Sequence, residues 1–176
     1  MSETIQAAIG ALLEKAIAQI RQNIDTTGER ASGKTQASLR QLVTVEGNTI
    51  TGTIFGRQAF GTLEHGRRGG KVPRNFAAII RQWIVDKGLP VTPIPYVRQP
   101  SESWQPKYTP EERGLMDMAW AIAEKIKRDG TSLYRRGGRA DVYTPPLAEL
   151  EKSIEDTLGV IFGIEIDNVL SKWKSK

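Results

Sequence analysis

Hydrophobic positions along this chain follow two rhythms, and the switch between them divides it into elements. Residues 3–24 place Ile5, Ile9, Leu12, Ala16, Ile20 and Ile24 at steps of three or four. That spacing lays one apolar stripe along a helix. Ser2 or Thr4 can cap its start, and Asp25-Thr26-Thr27-Gly28 ends it. After a polar stretch, Gly33-Lys34-Thr35-Gln36-Ala37-Ser38-Leu39-Arg40 reads as a turn and a short helix. The period then drops to two. Leu42, Val43 and Val45 lead into the turn signal Glu46-Gly47-Asn48, and Thr49-Ile50-Thr51-Gly52-Thr53-Ile54-Phe55 alternates again with many β-branched residues. Together these predict a hairpin over 42–55.

Gly56 to Val72 is rich in glycine and basic residues, and it predicts a short third strand around Ala59–Glu64 followed by a mobile loop. Helical spacing returns with Pro73 at a first helical position, Phe76, Ile79, Ile80 and Trp83 as an apolar face, and Lys87-Gly88 as the stop. The segment 89–110 holds six prolines and predicts a long loop. Thr109-Pro110-Glu111-Glu112 then starts a helix carrying Leu115, Met118, Ala119, Ile122 and Ile126, which stops at Asp129-Gly130. A last helix opens at Tyr143-Thr144-Pro145-Pro146 and covers 146–173, with Leu147, Leu150, Ile154, Leu158, Phe162, Ile166, Val169 and Trp173 at steps of three or four. Gly159 and Gly163 weaken it by roughly 1 kcal/mol each and predict a bend. The tryptophans Trp83, Trp120 and Trp173 are read as mostly core, and Trp104, within the proline-rich loop, either as a candidate partner contact or as packed under its own loop. The order predicts one α+β domain over 1–176: a long N-terminal helix, a small antiparallel sheet, two middle helices and a long C-terminal helix.

Composition narrows the chemistry. The chain has no cysteine and one histidine, His65, which excludes disulfides, thiolate metal sites and multi-histidine metal centres. No cofactor is expected. No run reaches the ~20 apolar residues a membrane span needs, and Met1-Ser2-Glu3-Thr4 lacks the basic start of a signal peptide, so a cytoplasm-like compartment is expected. The net charge is +5, but it is unevenly placed. Arg57, Arg67, Arg68, Lys71 and Arg74 face only Glu64 between residues 57 and 74. Lys125, Lys127, Arg128, Arg135, Arg136 and Arg139 face only Asp129 between 125 and 139. Between 145 and 170, Glu149, Glu151, Glu155, Asp156, Glu165 and Asp167 face only Lys152.

Three patterns carry possible chemistry. Gly28-Glu29-Arg30-Ala31-Ser32-Gly33-Lys34-Thr35 matches a phosphate-binding loop in letters, but a helix precedes it where a buried strand is required. Glu64-His65 could be an acid–base pair, with no serine or cysteine nucleophile in a recognisable elbow; a polar residue at a strand end is the simpler account. Glu64, Asp86, Asp117 and Asp141 lack the spacing of a nuclease metal cluster. The two basic glycine loops suit either phosphate contacts without sequence readout or a merely solvated, flexible surface, since no aromatic series interleaves with the arginines.

The ordered set resembles a phage family. An amphipathic N-terminal helix, Thr27-Gly28…Ala37-Ser38-Leu39-Arg40, the hairpin, Phe60-Gly61-Thr62-Leu63-Glu64-His65-Gly66-Arg67, Trp83…Lys87-Gly88-Leu89 and Ala119-Trp120-Ala121-Ile122-Ala123-Glu124-Lys125-Ile126-Lys127-Arg128-Asp129-Gly130 follow in that sequence. This is similar to tailed-phage head–tail joining proteins, also called neck, tail-completion or minor tail proteins. The chain departs from them in its long segment 89–110 and its extended C-terminal helix. The resemblance implies a non-enzymatic virion protein, made in the host cytoplasm, that forms a ring of six or twelve copies between portal or connector and tail, or that closes the tail tube. On that reading Arg57, Arg67, Arg68, Lys71, Arg74, Trp104, Arg135, Arg136 and Arg139 are candidates for partner or channel-DNA contact. Glu149, Glu151, Glu155 and Asp156 are candidates for subunit contact, because ring neighbours meet through unlike patches whose charges set register. The alternative is a basic protein that binds nucleic acid nonspecifically.

Overall fold

The first helix carries a stripe too wide for a single partner. In the computed structural model, which describes residues 2–97 and 105–174 and the side chains of 3–97 and 105–167, α1 runs Ser2–Thr26. It buries Ile5, Ile9, Leu13, Ala16, Ile17, Ile20 and Ile24. Leu13 and Ile17 join the expected stripe while Leu12 is only half-buried. The extra width has a cause: α1 packs against two elements, the hairpin and the last helix α7 (Thr144–Lys174). The one-turn helix α2 (Lys34–Ala37) is tied back to α1 by Arg21, which donates to the carbonyls of Gln36 and Leu39, and by the Gln36 amide, which donates to the Arg21 carbonyl.

The hairpin forms as the alternation predicts. Strand β1 (Arg40–Glu46) pairs antiparallel with β2 (Thr49–Phe55), Leu42 opposite Thr53 and Val43 opposite Gly52. Gly47 has φ 59° and Asn48 does not share the positive sign, the pattern of a turn with glycine at its first central position. Val43, Ile50 and Ile54 pack on Ile5, Ile9 and Leu13 of α1. Period two then sends Arg40, Leu42, Thr44, Thr51, Thr53 and Phe55 to the other face.

The expected third strand at 59–64 is instead a 3-10 turn, Gln58–Gly61, running into the one-turn helix α3, Thr62–His65. A helical turn sets Phe60, Leu63 and Glu64 on one side. Phe60 and Leu63 join the core of Ile17, Ile20, Ile24, Leu39 and Val142, and the Phe60 ring lies 4.9 Å from that of Tyr143.

One domain was expected, and the chain packs as two compact units. Unit 1 holds residues 1–29, 34–64 and 139–176, and unit 2 holds 30–33 and 65–138. Unit 2 is built on α4 (Phe76–Lys87) and α5 (Pro110–Asp129). Helix α4 starts three residues after Pro73, whose carbonyl accepts the Phe76 N–H. It ends as predicted at Gly88, φ 63°. Its buried face is Phe76, Ile80 and Ile84 against Ala119 and Ala123 of α5. Ile79 and the tryptophans Trp83 and Trp120 therefore stand largely exposed, contrary to the core placement read from the sequence. Trp104 and the side chain of Trp173 lie outside the described residues. Helix α5 begins with the predicted cap: the Glu112 N–H donates to Thr109 Oγ1, and the Thr109 N–H donates to the Glu112 carboxylate.

The described part of the proline-rich segment lies along the start of α5. Arg113 donates to the carbonyls of Ile94 and Pro95 and stacks over the Tyr96 ring. Gly114 makes this approach possible, because a Cβ there would collide with the Thr92 carbonyl. Alanine for a helical glycine ordinarily gains about 1 kcal/mol. Gly114→Ala is expected to lose about 1–3 kcal/mol instead, and urea unfolding of the variant checks the sign.

Candidate functional site

The two basic glycine loops, more than sixty residues apart in sequence, are stitched together within unit 2. Arg67 N–H donates to Thr131 Oγ1 at 2.9 Å, Thr131 N–H donates to the Arg67 carbonyl at 2.8 Å, and Gly70 N–H donates to the Lys127 carbonyl at 2.7 Å. Glycine permits each close approach. A Cβ at Gly69 would meet the Arg128 carbonyl, one at Gly130 the Arg67 carbonyl, and one at Gly66 the Tyr134 backbone. The loop expected to be mobile is thus anchored at both ends to the C-terminus of α5 and to α6 (Ser132–Arg135). Thr131 caps α6 through the Tyr134 N–H, so one hydroxyl serves both the helix and the loop.

An open groove results, lined by His65, Gly66, Arg68, Tyr134, Arg135 and Gly137. Arg68 reaches it from the first loop and Arg135 from the end of α6, and both are exposed. Lys71 and Arg74 are exposed on the chain that leaves the first loop. Arg136 is exposed too, resting on the Ser132 carbonyl and hydroxyl. Two sequence candidates are turned to structural work. Arg67 lies with its guanidinium 5.3 Å from the Phe76 ring centre and donates to the Lys71 carbonyl. Its Nε is buried without a hydrogen-bond partner among the described residues. Arg139, in unit 1, pairs with Glu29 at 2.8 Å and with Asp141. The hydrogen bonds it donates to Asp141 raise its pKa, burial opposes, and the charges of Asp141 and Glu29 reinforce the rise. Arg57 is exposed in unit 1, after β2.

The acid of the Glu64-His65 pair has a different task. Glu64 is fully buried. Its Oε1 accepts the N–H groups of Val142 at 2.7 Å, Tyr143 at 2.7 Å and Thr144 at 2.9 Å, and its Oε2 accepts the Thr144 hydroxyl. A carboxylate from a distant turn therefore closes the N-terminus of α7, where orphan donors and the helix dipole favour negative charge. Burial pushes the Glu64 carboxyl up, but the bonds from Thr144, Tyr143 and Val142 outweigh it and hold the group below its ordinary value. Helix α7 has no acid in its own first turn, and that gap was the signal in the sequence for a cap supplied from elsewhere. His65 is exposed and lines the groove.

The phosphate-loop string follows helix α1 and leads into the four-residue α2, so its strand–loop–helix setting is missing. Among the described residues no group of three His, Asp or Glu side chains could hold a metal ion. No described helix is long and apolar enough to cross a membrane. Of the acidic subunit-contact candidates, Glu149 binds Lys15 and Gln19 of α1, while Glu151, Glu155 and Asp156 are exposed on α7. No protein-family model, no curated protein and no solved structure matches this chain.

Proposed function

We propose that this protein is a structural virion component of a tailed bacteriophage, a ring-forming joint at the neck that links the portal or connector to the tail or completes the tail. One observation carries the reading: the cationic loops form a fixed surface, locked through backbone hydrogen bonds and glycine contacts. Arg68 and Arg135 both line one open groove. Such a surface suits phosphates passing in any sequence. The ordered resemblance to neck proteins supplies the setting, a channel that DNA traverses.

Particles made without this protein are expected to accumulate as filled heads and separate tails, and purified protein is expected to join them in vitro. Normal yields of joined, infectious particles in its absence would sink the reading. The same cationic surface favours the second reading, a nonspecific nucleic-acid-binding protein. The two differ in the free chain. The neck reading expects weak duplex binding, on the order of 10⁻⁴–10⁻⁶ M at physiological salt. The Arg68→Glu, Arg135→Glu double variant is expected to reduce the salt slope of that binding by about 2, read by fluorescence anisotropy across a salt series. Tight binding with intact particle joining in the absence of the protein favours the second reading.

A further inference from the structure

Helix α7 covers one apolar stripe and, among the described residues, leaves other apolar side chains uncovered. Leu150, Leu158 and Ile161 pack on α1. Val160, Phe162, Ile164 and Ile166 are exposed at 62%, 47%, 57% and 60%. From Thr157 to Ile164 the helix has no charged residue. Gly159 and Gly163 have nothing within 4 Å of a built Cβ. Gly159, Phe162 and Ile166 follow a three–four step, which lays a seam along one side of a helix, and the small residues let another backbone approach closely. Phe162 and Ile166 thus share an exposed apolar patch, with Val160 and Ile164 on another side of the helix, and an exposed apolar patch of this kind marks an interaction surface.

The same unit has a second uncovered surface. The hairpin face turned from α1 exposes Leu42 at 48% and Phe55 at 40%, with threonines Thr44, Thr51 and Thr53 between them and the turn. Arg40 stacks on Phe55 at 5.5 Å, and the exposed Arg57 follows the strand. Helix α1 meets the hairpin through Ile9 and Leu13 and meets α7 through Lys15 and Gln19. The two bare surfaces therefore belong to different elements, the hairpin and α7, which both pack on Ile5, Ile9 and Leu13 of α1.

We infer that the exposed seam of α7 in one copy docks on the outer hairpin face of a second copy, Phe162 and Ile166 against Leu42 and Phe55. Charge selects this pairing over two α7 helices. Residues 155–167 carry Glu155, Asp156, Glu165 and Asp167 and no basic residue, so α7 against α7 gathers like charges. The apolar end of the hairpin carries Arg40 and Arg57, which complement those acids. Contact between unlike patches leaves the pair with one patch of each kind free, one on each copy, so it propagates and closes into a ring when the rotation allows. The inference supplies the subunit contact that the neck reading requires and rests on that reading only for the ring's place in a particle.

The test uses the full chain, Phe162→Glu, Leu42→Glu and an equimolar mixture of the two, in sedimentation and native mass measurements. Wild type is expected to form oligomers that grow with concentration. Each variant alone is expected to self-associate at least about tenfold more weakly, with an unchanged melting curve, since both positions are exposed. The mixture is expected to form a one-to-one dimer that grows no further, because each variant retains the patch the other lacks. A Leu42→Glu chain that assembles like wild type, a mixture that stays monomeric, or a wild type that is monomeric up to its solubility limit overturns the inference. Assembly as described, from a chain that particles do not need for joining, keeps the contact and removes the neck reading.

Discussion

Replacing Glu64 by alanine is expected to destabilise unit 1 by at least about 3 kcal/mol, because three backbone N–H groups lose their acceptor and each is worth about 1–3 kcal/mol when left bare. Water replaces that acceptor poorly at a site where Glu64 itself is fully buried. The loss falls on the start of α7, the helix that covers one side of α1, so early unfolding is expected there. Glu64→Gln keeps the shape and one acceptor oxygen but removes the charge that the helix N-terminus favours, and a loss of about 1–3 kcal/mol is expected.

The pH dependence separates charge from shape. Glu64 is held below its ordinary 4.5 in the folded protein. Folding therefore favours the carboxylate. The stability it adds is fully present above pH 4.5 and is lost as pH falls through the lower folded value. Urea unfolding between neutral pH and pH 3 is expected to show wild type losing stability below about pH 4.5 more steeply than Glu64→Gln. Asp141, bonded to Arg139, and Glu149, bonded to Lys15 and Gln19, are also held below their ordinary values and act in the same direction. They do so from exposed positions, where ion pairs contribute little. Parallel curves for wild type and Glu64→Gln would remove the capping role.

The regular elements were legible in the sequence because their signals are local. Thr109 with Glu112 announces a helix start, Lys87-Gly88 a stop, and the β-branched alternation of Thr49–Phe55 a strand. The failures share a cause, which is long-range demand. Residues 59–64 read as a strand, yet they form helical turns because Phe60 and Leu63 must enter the core and Glu64 must reach residues 142–144. Trp83 fits the helical stripe read for its helix, yet the α4–α5 contact uses Phe76, Ile80, Ile84, Ala119 and Ala123, and small alanines admit the close approach that tryptophan would block. The candidate site was half legible. Charge density singled out both basic loops, but their joining depends on the Arg67–Thr131 hydrogen bonds across more than sixty residues, and no local pattern encodes that. The sequence also could not tell working arginines from available ones. Arg67 and Arg139 look like their neighbours until Phe76, Glu29 and Asp141 are placed around them.

That joining gives the second large prediction. Gly66→Ala is expected to cost unit 2 about 2–5 kcal/mol. Two effects add. Gly66 has φ 67°, a conformation that costs an L side chain about 1–2 kcal/mol. Its Cβ would also collide with the Tyr134 backbone and stand 2.5 Å from Thr131 Oγ1, and such overpacking adds about 1–3 kcal/mol. Gly88 is the control: its φ is 63°, and a Cβ there meets nothing within 4 Å, so Gly88→Ala is expected to lose only the backbone share. The difference between the two variants measures the clash. Because the clash falls on the Thr131 hydroxyl that holds both α6 and Arg67, hydrogen exchange at the Arg67, Gly70 and Thr131 amides is expected to accelerate in Gly66→Ala and to stay slow in Gly88→Ala. Duplex binding through Arg68 and Arg135 is expected to weaken with it, since two cations held at one groove engage phosphates together at lower entropic cost than two on free loops. Equal effects of the two substitutions on stability and exchange would mean that the basic loops are not locked, and the fixed cationic surface on which the channel reading depends would go with them.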